Sequence, residues 1–156
     1  MSINALTSKW SERNAILDTL NPLSRSANTY NGAYVDTKNF HGFVAELLVG
    51  DIGAGGTVNF KLQQATSAAG AGVKDIAGKA LTQISQTGSP ATGGDNRQFL
   101  INLHADELDC ENSFRWIRMV LVTATAATVC AATIKGATPR HGPASDYDAD
   151  TVQEIV

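Results

Sequence analysis

The chain has 156 residues, a formal net charge of −3 and two cysteines, a length that fits one domain, or one domain with arms, around a working core. Twelve Lys and Arg against fifteen Asp and Glu argue against general binding to nucleic acid, and two Cys do not make a disulfide scaffold. No apolar run reaches the roughly 18 residues of a membrane span, and the first residues lack the basic and apolar segments of a secretory signal, so neither membrane nor signal is expected.

Residues 1–26 read as an N-terminal arm or short helix. Ile3, Leu6, Trp10, Ile16, Leu17 and Leu20 are its apolar residues. Leu6, Trp10 and Leu17 follow a loose helical spacing, and Ser11 with Asn14 favours a turn or cap. Asn21-Pro22 stops a helix, because the residue before Pro is pushed out of the α region.

Residues 27–143 read as a β domain, with strand signals beyond Ala33. Phe43, Ala45, Leu47 and Val49 alternate with Val44, Glu46 and Leu48, which predicts a strand buried on one face and partly on the other. The sequence GDIGAGG at 50–56 is a flexible hairpin loop. Val58, Phe60 and Leu62 then alternate with polar residues, so the two runs predict an antiparallel pair. The Ala- and Gly-rich stretch 64–80 reads as a surface excursion, 81–84 as a short strand and 86–96 as turns. Phe99, Ile101 and Leu103 mark another strand, and 104–113 an acidic loop. Residues 114–123 are the strongest strand signal, 126–135 its hairpin partner, and 136–142 the close of the domain.

Residues 144–156 read as an extended, solvated acidic C-terminal tail, carrying Asp146, Asp148, Asp150 and Glu154 and no base. Ala, Gly, Ser and Thr supply 61 of the 156 residues, which suits tight turns and close strand packing better than long helices. Six or seven short strands without βαβ alternation predict an all-β fold, an antiparallel β-sandwich or jelly-roll-like barrel.

Motifs for chemistry are sparse. Gly78-Lys79-Ala80 has the Gly-Lys pair of a phosphate loop, but the required Gly is Val73 and the required Ser or Thr is Ala80. Gly53-Ala54-Gly55 opens like a dinucleotide fingerprint, but the third Gly is Val58. Asp146-Tyr147-Asp148-Ala149-Asp150 opens like a calcium loop, but the sixth position is Thr151 rather than Gly. His104, Asp106, Glu107 and Asp109 form the densest titratable cluster, a metal or acid–base reading set against an acidic loop kept for solubility. Cys110 and Cys130 have no zinc spacing. Arg115 and Arg118 flank Trp116, which suits a cation–π or carbohydrate-stacking site, or a core strand with Arg118 paired to an acid. No catalytic residue, cofactor or metal site is expected.

Some residues carry a family resemblance. Tyr34-Val35-Asp36 is followed by a strand ending in Val49-Gly50 and by Lys61-Leu62-Gln63-Gln64. Arg115-Trp116-Ile117-Arg118 and Thr138-Pro139-Arg140-His141-Gly142-Pro143 come later, with Trp116 where Tyr is usual. Over about residues 30–143 this resembles the small β-sandwich proteins of tailed bacteriophages encoded among head-assembly genes, including capsid decoration, or cement, proteins. The resemblance implies a non-enzymatic virion protein on the capsid exterior, made in the host cytoplasm. Its implied partner is the major capsid protein, whose neighbouring subunits it would bridge; a trimer is the implied oligomer, without nucleic acid or membrane as partners. Its contacts are expected at the chain ends, at Trp10, Ile16, Leu17, Pro143 and Tyr147, since aromatic anchors carry most binding energy. The alternatives are a neck or tail component and a carbohydrate-binding β-sandwich module.

Overall fold

The computed structural model describes residues 7–156. It is an all-β sandwich of two antiparallel sheets with one short helix, as the alternation predicts. In chain order come α1 (Trp10–Arg13), β1 (Asn14–Arg25), β2 (Asn28–Asn31), β3 (Val35–Asp36), β4 (Phe40–Ile52) and β5 (Thr57–Ala65). Then follow β6 (Lys74–Ala80), β7 (Ile84–Ser85), β8 (Arg97–His104), β9 (Trp116–Ala124) and β10 (Thr128–Pro139). The first sheet has the order β1-β10-β4-β8. The second runs β2-β9-β5-β6, with β3 also on β9 and β7 also on β5.

Period-two patterning explains the central strands. In β5, Val58, Phe60 and Leu62 point into the sandwich, and across from them Ile117, Met119 and Leu121 of β9 do the same. The first sheet contributes Phe43, Ala45, Leu47 and Val49 from β4, with Ala132 and Ile134 from β10. These side chains form one continuous core, each large aliphatic member contributing roughly 1.5–3 kcal/mol by leaving water.

Three segments depart from the sequence reading. Residues 14–25 are not an arm: β1 pairs with β10 from Asn14 opposite Ala137 to Arg25 opposite Thr128. Register shifts between Ile16 and Asp18 and between Leu20 and Leu23 break its alternation, which is why periodicity missed it. Pro22 is tolerated because β1 is an edge strand. Among the described residues of the stretch 1–26 only Trp10–Arg13 is helical, and the Glu12 carboxylate accepts the Lys9 N–H at 2.6 Å. Ile3 and Leu6 lie outside the described residues.

The stretch 64–80 contains a strand, β6, on the edge of the second sheet. Residues 144–156 are not wholly solvated either. Ala144 is fully buried, and Tyr147 stands edge-on to Phe40 with ring centroids 5.5 Å apart.

Candidate functional site

The outer face of the first sheet is the unusual surface. Side chains that alternate with the core positions point away from the sandwich: Glu46 and Leu48 on β4, Leu100 and Asn102 on β8, Val129 and Thr133 on β10. Leu48 is 40% exposed, Val129 44% and Leu100 57%. Register places them together. Leu48 lies opposite Ala131 on one side and Gln98 on the other, and Leu100 lies opposite Glu46 two residues along. Residues so offset on one face sit about 7–8 Å apart, within reach of one another. A Cβ added to Gly50 would meet the Val129 side chain at 3.2 Å, so β4 and β10 are in close contact at the end of this row. The Lys135 ammonium donates to Glu46 at 2.6 Å and neutralises the one acid beside the row. The result is a pleated apolar row with its charges paired off. Leu23, on the adjoining edge strand, is 56% exposed.

The sequence-predicted titratable loop takes a different form. His104 Nδ1 lies 2.7 Å from Asp106, and its backbone N–H donates to Glu107. The two other acids face outward to different lysines. Glu107 pairs with Lys79 at 2.7 Å, and Lys74 donates to Asp109. Hydrogen bonding from Lys79 and Lys74 holds the Glu107 and Asp109 carboxyls below their ordinary values. Among the described residues no group of three His, Cys, Asp or Glu is arranged to hold a metal ion. Each of the three acids thus has its own cationic or imidazole partner, and the Lys79 and Lys74 pairs pin β6 to the loop after β8.

Both cysteines are free thiols, Cys110 exposed and Cys130 buried. Burial raises the Cys130 thiol, which makes it a small apolar core residue rather than a nucleophile. Arg115 pairs with Asp36 through a two-point contact at 2.9 Å. Arg118 has no acid partner among the described residues. Its guanidinium donates to Gln63 Oε1 at 2.8 and 3.0 Å and stacks 4.8 Å over Tyr34.

The start of β1 meets the segment 148–149. The Ile16 N–H donates to the Asp148 carboxylate at 2.7 Å, and the Ile16 carbonyl accepts from Ala149 at 2.7 Å. Leu17 and Tyr147 pack on the core. Pro143 is exposed at the head of the one-turn helix 144–147, and Trp10 is 53% exposed on α1, which lies against that turn. Of the five residues picked from the sequence, Ile16, Leu17 and Tyr147 thus have internal partners, while Trp10 and Pro143 face solvent. Sequence reasoning missed Leu48, Leu100 and Val129 as a surface. The signal was apolar residues at both phases of the same strands.

No protein-family model matches the chain, and no curated protein matches it. Among solved structures it overlaps a chain from infectious bursal disease virus Gt strain at 12% identity and a TM-score of 0.45, covering 85% of this chain and 33% of that one. It overlaps a chain of Cowpea Mosaic Virus, from an empty virus-like particle, at 9% identity and 0.39, covering 90% and 91%. Broad Bean Stain Virus gives 10% and 0.38, covering 92% and 97%. This chain spans about a third of the length of the infectious bursal disease virus chains. At these identities and TM-scores no residue takes a role from the likeness.

Proposed function

We propose that the protein is a non-catalytic structural component of a virion. In this reading it binds the outer surface of a tailed-phage capsid and bridges neighbouring major capsid subunits. The observation that supports it is the apolar row Leu48, Leu100 and Val129 on the outer face of the first sheet. A stiff pleated face with its nearby acid neutralised loses little side-chain freedom when covered. Each 100 Å² of apolar surface covered contributes about 2.5 kcal/mol before the cost of association. A protein seated across two subunits gains further from the raised effective concentration at the second contact.

Particles lacking the protein, mixed with purified chain, test this. Wild type is expected to bind the head at hundreds of copies. The Leu48→Glu/Leu100→Glu variant, folded by circular dichroism, is expected to bind at least about tenfold more weakly. A count of roughly a dozen copies at one vertex would make it a neck component instead. Undiminished binding by the variant, or turnover of a substrate, would sink the proposal.

A further inference from the structure

We propose that the cavity beside β3 and β9 accepts the acidic and apolar stretch 150–156 of a second copy of this chain, joining copies head to tail. The inference does not depend on the capsid-binding reading, and it uses a different surface.

The cavity has a volume of about 550 Å³, and its walls include Lys38, Arg115, Arg140, Thr66, Phe114 and Trp116. Three cations therefore meet at one concavity of a chain whose net charge is −3. Asp36 answers only part of that charge. Its carboxylate takes the two-point contact from Arg115 and lies 3.7 Å from the Lys38 ammonium. The Arg140 side chain has no hydrogen bond or ion pair among the described residues; its backbone N–H alone is engaged, donating to the Asn39 carbonyl at 2.8 Å. An arginine fork fixed at its base and unpaired at its head suits a carboxylate, which it can grip through two parallel hydrogen bonds. Phe114 and Trp116 add apolar wall beside the cations.

The complementary feature is on the same chain at a different place. Residues 150–156 contain Asp150 and Glu154 and no base. Ile155 is 51% exposed and Val156 fully exposed. The stretch is anchored at Ala149 on Ile16 and turned by the Val152 N–H to the Ala149 carbonyl. Among the described residues the only side-chain bond beyond that turn is local, from Gln153 to the Asp150 carbonyl. Asp148, Asp150 and Glu154 line a concavity of their own. Acid next to exposed aliphatic side chains in one place, and base next to aromatic walls in another, are matched in both charge and polarity. If each copy gives its stretch to a new neighbour the contact builds a ring or a filament, and if two copies exchange theirs it closes as a twofold pair.

Sedimentation velocity of the full chain over a concentration series provides the test. Wild type is expected to self-associate at low salt and to dissociate as salt rises. Arg140→Glu and Glu154→Arg are each expected to weaken association at least about tenfold, and the double variant R140E/E154R to regain most of it. Glu154 lies on an exposed stretch, so E154R keeps the test open should R140E fold poorly. Mixing R140E with Ile155→Glu should give a one-to-one complex from two monomeric species, since each supplies the half the other lacks. A wild type that stays monomeric at every concentration, single variants that associate like wild type, or a double variant that does not recover would overturn the proposal. So would loss of single-stranded oligonucleotide binding in R140E with self-association intact, which would make the cavity a nucleic-acid site.

Discussion

Phe40 shows how one residue ties the sandwich to the chain's last turn. Its ring is 1% exposed, edge-on to Phe43 at 6.1 Å and edge-on to Tyr147 at 5.5 Å. The remaining side is Gly136 on β10, where an added Cβ would stand 2.7 Å from two ring carbons. The ring cannot retreat, because two aromatic edges hold it. Gly136→Ala is therefore expected to destabilise the fold by about 1–3 kcal/mol, as overpacking of a filled core does. Thermal melts of the two proteins check this; an unchanged midpoint would mean the ring has room to move. Arg25 is a second residue whose surroundings settle its role. It is 6% exposed, donates to the Asn21 carbonyl at 2.7 Å and stacks 4.6 Å from the Tyr30 ring centroid. Its Nε has no partner among the described residues, so it covers the end of the core mainly by stacking.

At the scale of elements, β6 is held by charge more than by burial. Only Ile76 of its seven residues is buried. What fixes it is a row of lysine–carboxylate pairs: Lys61 to Asp75 at 2.8 Å, Lys79 to Glu107 at 2.7 Å and Lys74 to Asp109. Hydrogen bonding from Lys61 holds the Asp75 carboxyl below its ordinary value of 3.8, and Lys74 and Lys79 do the same for Asp109 and Glu107. For a carboxylate with a lowered folded value, stabilisation is present above the ordinary value and is lost as pH falls through the folded one. The β6 amides are thus expected to lose hydrogen-exchange protection as pH falls through and below the ordinary carboxylate range, near about 4, while β5 and β9 keep theirs. Asp18 runs the other way. Burial raises its carboxyl despite a hydrogen bond from the Ala33 N–H, so its contribution to stability grows as pH falls. A global melt would mix the two signs, and residue-resolved exchange separates them. Uniform loss across the second sheet would refute the local account.

The same element shows what sequence reading can and cannot reach. β4, β5, β8, β9 and β10 were legible because their core contacts lie on one face, so burial writes a period of two into the residue types. β6 carries the sequence KDIAGKA, whose single buried residue writes no period, and its stabilising pairs lie 14 to 35 positions away along the chain. β1 carries the residues of a strand, but two register shifts scramble its phase. The apolar outer row is only half legible: alternation sets Leu48 on the second, partly buried face of its strand, yet nothing in one strand says that Leu100 and Val129 fall beside it. That requires the register of three strands. The partners of the acidic cluster are illegible for a related reason, since the lysines that pair with Glu107 and Asp109 come from distant β6.

For the molecule as a whole, the open question of any sandwich is its edges, because an unpaired strand invites another chain. β1 is such an edge, and the turn at 144–149 covers its start. Asp148 accepts the Ile16 N–H, Ala149 donates to the Ile16 carbonyl, and Tyr147 presses on Phe40 so that the turn stays down. The aromatic contact and the edge cover are thus one device: remove the ring, and the carboxylate that satisfies Ile16 loses its anchor. Tyr147→Ala is expected to lower stability by about 1–3 kcal/mol, less than a fully buried aromatic because Tyr147 is only partly covered. It should also speed exchange of the Ile16 amide at least about tenfold, since local opening then no longer requires lifting the ring. Tyr147→Phe should change little, because the hydroxyl makes a single long bond, 3.3 Å to the His141 carbonyl. If Tyr147→Ala leaves Ile16 protected, the turn is held by Asp148 and Ala149 alone and the ring is a passenger. If both variants expose Ile16, the hydroxyl rather than the ring fastens the turn.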